Sequence, residues 1–270
     1  MATQRRGPQM ARRADRHELY ERAVQNPPAD VDFIKRTFKS LRGRPARMLR
    51  EDFCGTAAIC ADWVKRHAEN RALGIDLDAD TLNWGIQRHI VPLGRRAANV
   101  TLICQDVRAP LRTKSDVTVA FNFSFCIFKE RKALRDYFRR VRRSLAPDGI
   151  FYLDIFGGPE SMDLREERTD FGDFTYVWDQ DAFNPITHES RCLIHFEFPD
   201  GSALRRAFAY DWRLWQIPEI EETIHEAGFS DFIVYWEGVD SKTGEGNGIY
   251  RPSRKGDLSP AYVCYLVAVK

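Results

Sequence analysis

The sequence lacks any apolar run long enough to cross a bilayer. Its longest, Ile150 to Ile155 and Tyr262 to Val269, fall well short of the ~20 residues a spanning helix needs and are interrupted by aromatic or polar side chains. No membrane span is expected. The N-terminus has no apolar stretch of the kind that marks a secretory signal. It carries Arg5, Arg6, Arg12, Arg13 and Arg16 against one acid, Asp15, and reads as a frayed basic tail, with a transit peptide or a nucleic-acid arm as the alternatives. No C-x-x-C pair occurs among Cys54, Cys60, Cys104, Cys126, Cys192 and Cys264. They read as reduced, buried residues of a cytoplasmic protein, neither a disulfide frame nor a metal site. Strong net charge is missing as well. With 41 basic and 39 acidic residues the formal charge is +2, too little to gather phosphate backbones, so nucleic acid is an improbable partner. There is no internal repeat and no low-complexity tract.

What is present is an alternation. The 270 residues, 43% hydrophobic, suffice for one large α/β domain with an insertion or for two modest domains. Short apolar strands are expected at Arg47 to Glu51, Ala72 to Asp76, Val100 to Gln105, Val117 to Asn122 and Ile150 to Phe156. Amphipathic helices are expected between them, at Thr56 to His67, Asp80 to His89 and Glu130 to Ser144; Leu134, Phe138, Val141 and Leu145 form the buried stripe of the last. Arg139, Arg140, Arg142 and Arg143 lie off that stripe and read as a solvated face. Such alternation predicts a parallel sheet with helices on both faces.

Two regions depart from this rhythm. Residues 1–45 read as the basic tail followed by a cap of two short helices, broken at Pro27-Pro28. Residues 159–212 alternate with period two, in Thr175 to Asp179, Thr187 to Phe198 and Leu204 to Trp212, with a hairpin turn at Pro199 to Ser202. That is an antiparallel insertion after strand five. The remaining 46–158 and 213–270 form the α/β domain, completed by a helix from Pro218 to Ala227 stopped by Gly228 and by strands at Phe232 to Trp236 and Tyr262 to Val269. The stretch Gly238 to Pro260, rich in glycine, reads as a long loop.

The chemistry gathers at strand ends. Glu51 ends the first strand, Asp76 the second, and Asp106 follows the third; in an open parallel sheet these ends share the edge where ligands bind. Between the first strand and its helix lies the small-residue turn Asp52-Phe53-Cys54-Gly55-Thr56-Ala57, where glycine lets a nucleoside approach the backbone. The bland alternatives are that Asp76 and Asp106 cap helices and that Cys54 merely packs.

Leu49 to Ala57 resembles the first motif of the class I S-adenosylmethionine-dependent methyltransferases, an acid followed by G-x-G-x-G. Glu51 and Gly55 match, and Phe53 and Ala57 stand where the outer glycines would be. Gly74-Ile75-Asp76-Leu77-Asp78 resembles the second motif, Gln105-Asp106-Val107 the third, Leu145 to Gly149 the L-x-P-G-G element, and Glu226-Ala227-Gly228-Phe229 the A-G-F element. The resemblance implies a seven-stranded, mostly parallel Rossmann-like sheet and S-adenosylmethionine as cofactor, leaving as S-adenosylhomocysteine. It implies that Asp76 holds the ribose hydroxyls and Asp106 the adenine amino group. The cofactor residues expected on this basis are Glu51, Phe53, Cys54, Gly55, Thr56, Asp76, Leu77, Asp106, Val107, Asn122, Phe123 and Ser124.

Methyl transfer from a sulfonium is a direct displacement, so alignment of the reactants supplies most of the catalysis. The acceptor is expected to be a small molecule, methylated on nitrogen or oxygen beneath a lid formed by the insertion. Phe123 to Phe125 are expected to floor its site, and Tyr20, Phe125, Arg191, Tyr210 and Arg213 to bind it. Asp154 and His188 are the candidate general bases. A nicotinamide oxidoreductase shares the sheet but requires G-x-G-x-x-G, and the turn offers one glycine. An RNA methyltransferase and a non-catalytic cofactor-binding protein remain the alternatives.

Overall fold

A computed structural model describes residues 9–240, 242–243 and 246–270. In chain order it holds α1 (Met10–Arg13), α2 (Arg16–Val24), α3 (Pro27–Arg42), β1 (Met48–Asp52), α4 (Ala58–Lys65), β2 (Arg71–Asp76), α5 (Ala79–Gly85) and β3 (Val100–Cys104). β4 (Ser115–Ala120), α6 (Arg131–Ser144), β5 (Leu145–Gly157), β6 (Glu166–Asp170), β7 (Thr175–Phe183), β8 (Glu189–Glu197) and β9 (Ala203–Arg213) follow. The chain closes with α7 (Ile217–Glu226), β10 (Asp231–Val239), β11 (Gly246–Ser253) and β12 (Tyr262–Val269). Among the described residues no helix is long and apolar enough to cross a membrane. The chain divides into two compact units, one of residues 27–161 with 215–270, the other of residues 1–26 with 162–214.

The larger unit is built on a sheet ordered β11-β10-β12-β5-β4-β1-β2-β3, with β1 to β5 parallel and β12 antiparallel to β5. Strand alternation sends Leu49, Val117, Val119, Ile150, Tyr152 and Val267 to one face, where they pack on Phe33, Ile34 and Phe38 of α3 and on Ile59 and Trp63 of α4. The opposite face carries Phe151, which packs on Phe138 of α6 and on Phe229 just after α7. The expected stripe of α6 is buried, and Tyr137 joins it. Of the four arginines read as a solvated face, Arg140 and Arg143 are exposed, whereas Arg139 donates to Glu226 O; elsewhere on the helix Arg131 and Arg135 pair with the Glu226 carboxylate of α7.

The sheet has eight strands where seven are expected. The extra one, β11, lies inside the stretch read as a long loop and pairs antiparallel with β10. An edge strand needs only one partner, so Pro252 and two glycines, Gly246 and Gly248, are tolerated there and hide the strand in the sequence. Ser241, Gly244 and Glu245 of that stretch lie outside the described residues.

The smaller unit is an antiparallel sheet ordered β6-β7-β8-β9. Its face of Phe174, Ile194 and Phe196 is covered by Leu19 of α2. Strand β6, all exposed, escapes sequence reading because no side of it is apolar. The hairpin turn at Pro199 to Ser202 forms, and it also holds the N-terminus: Asp200 and Ser202 accept hydrogen bonds from Met10 N (2.8 Å) and Ala11 N (3.0 Å). Arg12, Arg13 and Arg16 therefore lie in helical segments instead of a frayed tail, while Arg5 and Arg6 fall outside the described residues. The expected N-terminal cap is likewise not one body. Pro27 cannot continue α2 and starts α3 instead, so the two helices go to different units.

Candidate active site

The turn after β1 keeps the backbone of a three-glycine motif with one glycine. Phe53 (φ 57°), Gly55 (φ 51°) and Ala57 (φ 59°) are all left-handed, at alternate positions. Gly55 takes that conformation freely, whereas Phe53 and Ala57 each bear a cost of about 1–2 kcal/mol. Tertiary contacts hold them there. The Phe53 ring lies 5.9 Å from Tyr137 and 6.1 Å from Phe128. Cys54 N donates to Ile75 O (2.9 Å) and Gly55 N to the Asp76 carboxylate (2.8 Å), tying the turn to β2. Helix α5 presses on it from the other side: a Cβ on Gly85 would stand 2.1 Å from Thr56 O, so only glycine fits.

The acids at the strand ends have three different environments. Glu51 is buried and accepts from Cys60 N of α4 (3.0 Å). Asp76 is half-buried, accepts from Gly55 N and Asp78 N, and stands beside Leu77, which is 66% exposed. Asp106 is clamped by the Arg108 guanidinium, whose hydrogen bonds hold its carboxyl below the usual range. Its neighbour Gln105 buries an amide Nε2 that has no hydrogen-bond partner among the described residues. Val107 is buried, with its carbonyl accepting from Arg50.

After β4 the chain turns through left-handed Asn122 (φ 55°) and Phe123 (φ 56°), whose N–H groups donate to the two oxygens of Asp154 at 2.8 and 2.9 Å. Asp154 thus shapes the turn, yet a carboxylate can accept about four hydrogen bonds, so capacity remains. Ser124 donates to Phe121 O (2.8 Å). Phe125 corrects the expectation of an acceptor floor. It is fully buried against Phe138, because the short helical turn that follows points it into the core.

The other acceptor candidates belong to the smaller unit, so Asp154 and His188 lie in different units. Tyr210 stacks on Trp212 at 4.5 Å and Tyr20 packs on Phe208 at 4.8 Å. Arg191 pairs with Asp181, and Arg213 sits opposite Glu189 in the β8–β9 register. His188 takes a left-handed position in the β7–β8 turn, with its ring against Phe183.

Sequence reading passed over a second polar row. Asp154, Tyr265 and Tyr235 are register partners on β5, β12 and β10, and so share a face. Tyr265 donates to Asp30 Oδ1 of α3 (2.7 Å), and Tyr250 of β11 donates to Glu237 of β10 (3.4 Å). The only signals were a tyrosine in a valine-rich strand and an acid in the first turn of a helix.

Burial pushes three carboxyls of this edge upward, Asp30 to about 6, Asp154 to about 7 and Glu51 to about 8. The folded protein therefore holds protons that the unfolded chain releases above its ordinary carboxyl range. Stability should fall as pH rises from about 5 to about 8. Surface acids held low by arginines, such as Asp148 and Glu226, titrate below that window and do not obscure it. Thermal melts of the ligand-free protein at pH 5.5 and 8 check this, the higher melting temperature being expected at pH 5.5. A cation bound at this edge should favour the charged carboxyls and release protons.

Residues 52–153, from the end of β1 almost to the end of β5, match the family described as methyltransferase domain. Over that stretch the chain carries a methyltransferase domain. The methyltransferase shares its fold with DesVI of Streptomyces venezuelae, at 19% identity and a TM-score of 0.68 over 95% of this chain and 98% of that one. It is similar to CalS10, an amino pentose methyltransferase of Micromonospora echinaspora involved in calicheamicin biosynthesis, at 16% identity and TM-score 0.66, covering 94% and 95% of the two chains. The sugar N-methyltransferase KedS8 of a Streptoalloteichus species gives 15% identity and TM-score 0.64 over 100% and 97%. No curated protein matches the sequence.

Proposed function

We propose that this methyltransferase methylates an amine of a small molecule. The residues present fit the cofactor. Gln105 offers an orphan buried donor beside Asp106, and Asp76 offers a half-open carboxylate next to the uncovered side chain of Leu77. The turn through Gly55 supplies a close backbone approach. When bound, S-adenosylmethionine supplies an electrophilic methyl group on a sulfonium that departs as a neutral thioether.

The acceptor reading rests on the polar row that continues from this edge. Asp154 and Glu237 alternate there with the phenols of Tyr235, Tyr250 and Tyr265, and both carboxylates act electrostatically on Tyr250. Carboxylates and hydroxyls suit a cationic amine far better than an anionic acceptor. An amine attacks only through a free lone pair, and Asp154, titrating near 7, can take up the proton it loses. Positioning carries most of the rest, with effective gains of about 7–11 kcal/mol for well-oriented reactants. CalS10 and KedS8, an amino pentose and a sugar N-methyltransferase, support an aminated sugar as the class to try first.

The test is methyl-labelled S-adenosylmethionine offered with paired sugars that differ only in carrying an amine or a hydroxyl. Label should enter the amines, with kcat/KM rising with pH through about 7. Label confined to hydroxyl acceptors, or entering RNA, would overturn the reading.

A further inference from the structure

Asp30 stands in the first turn of α3, where an acid ordinarily faces solvent and complements the helix dipole. Here it is turned inward instead. Its Oδ1 accepts from Tyr265, and among the described residues its second oxygen takes no hydrogen bond. Tyr265 is itself the register neighbour of Asp154 and is stacked on Phe33 of α3 at 4.2 Å, which fixes the phenol that holds Asp30. The carboxylate acts electrostatically on both Glu51, at the end of β1, and Asp154, near the end of β5. Through Tyr265 it is joined to the row that carries Asp154, whose carboxylate holds the turn through Asn122. With one oxygen anchored and one open, a carboxylate placed there carries an uncompensated charge that a cation would satisfy.

We propose that Asp30, oriented by Tyr265, is a specificity-determining residue that reads the positive charge of the cofactor's sulfur and so favours S-adenosylmethionine over S-adenosylhomocysteine. The two molecules share adenosine and amino-acid groups and differ at that centre by a methyl and a charge. An enzyme equipped in this way sheds its product more readily than one that grips only the shared groups.

Calorimetric titration of the full chain with each of the two molecules tests this without any acceptor. In Asp30→Asn the affinity for S-adenosylmethionine should fall roughly tenfold, while that for S-adenosylhomocysteine stays within about twofold, since only the former has the charge to lose. Tyr265→Phe should shift the ratio in the same direction by less, because the carboxylate survives without its anchor. Equal weakening of both ligands would assign Asp30 to the shared ammonium group or to the fold, and an unchanged pair would assign it elsewhere; either result overturns the proposal. A thermal melt of Asp30→Asn confirms that the variant is folded. Because no acceptor is present, failure here is independent of failure of the amine reading.

Discussion

Replacing Asp52 by asparagine should destabilise the protein by about 3–5 kcal/mol, the cost of leaving one member of a buried ion pair without its partner. Arg50 and Asp52 lie two apart on β1, so both face α6, and both are almost wholly buried. The guanidinium donates to Asp52 at 2.6 and 3.0 Å, to Ser144 Oγ of α6 at 2.9 Å and to Val107 O at 2.9 Å; Tyr137 donates to Asp52 at 2.8 Å. Removing the negative charge strands a fully buried cation. In thermal denaturation the loss corresponds to roughly 6–20 °C. The double variant Arg50→Met with Asp52→Leu should recover part of it, since no charge is then left uncompensated. Recovery stays partial because the Tyr137 hydroxyl and the Val107 carbonyl lose partners. Since Arg50 also pins the Gln105 to Val107 segment, the single variant should weaken cofactor binding as well.

The second large effect is at Asp76. Asp76→Ala should weaken S-adenosylmethionine and S-adenosylhomocysteine alike by at least about a hundredfold, measured by calorimetry, since two hydrogen bonds to a charged group contribute roughly 1.5–3 kcal/mol each. The variant also releases Gly55 N and Asp78 N, which Asp76 now holds at 2.8 and 2.9 Å. The equal loss for both ligands separates this residue from Asp30, for which only the charged ligand should suffer. Unchanged affinity would mean that Asp76 serves the turn and not the nucleoside.

Much of the cofactor edge was legible in the sequence because it is encoded locally. Glu51 and Asp76 lie in the last residues of short apolar strands and Asp106 follows one, and strand ends in a parallel sheet share an edge whatever the details of packing. The turn was legible in outline but weak in composition. Phe53 and Ala57 look wrong for left-handed positions until the Tyr137 and Phe128 rings and the β2 hydrogen bonds that impose them are seen. Phe125 could not be placed from sequence because the short helical turn that buries it together with Cys126 has no periodicity of its own. Strand β11 was missed because an exposed edge imposes no apolar alternation.

By itself, then, the sequence determined the α/β alternation, the antiparallel insertion and the acids at the strand ends, all features carried by a few consecutive residues and a periodicity. Only the tertiary structure decided that the N-terminal helices part company at Pro27, that Arg50 and Asp52 form a buried pair, and that Asp30 and Asp154 meet Tyr265 on one row. The hydrogen bond from Tyr265 to Asp30 spans 235 residues, and no local pattern can announce a contact made by chain segments that folding alone brings together.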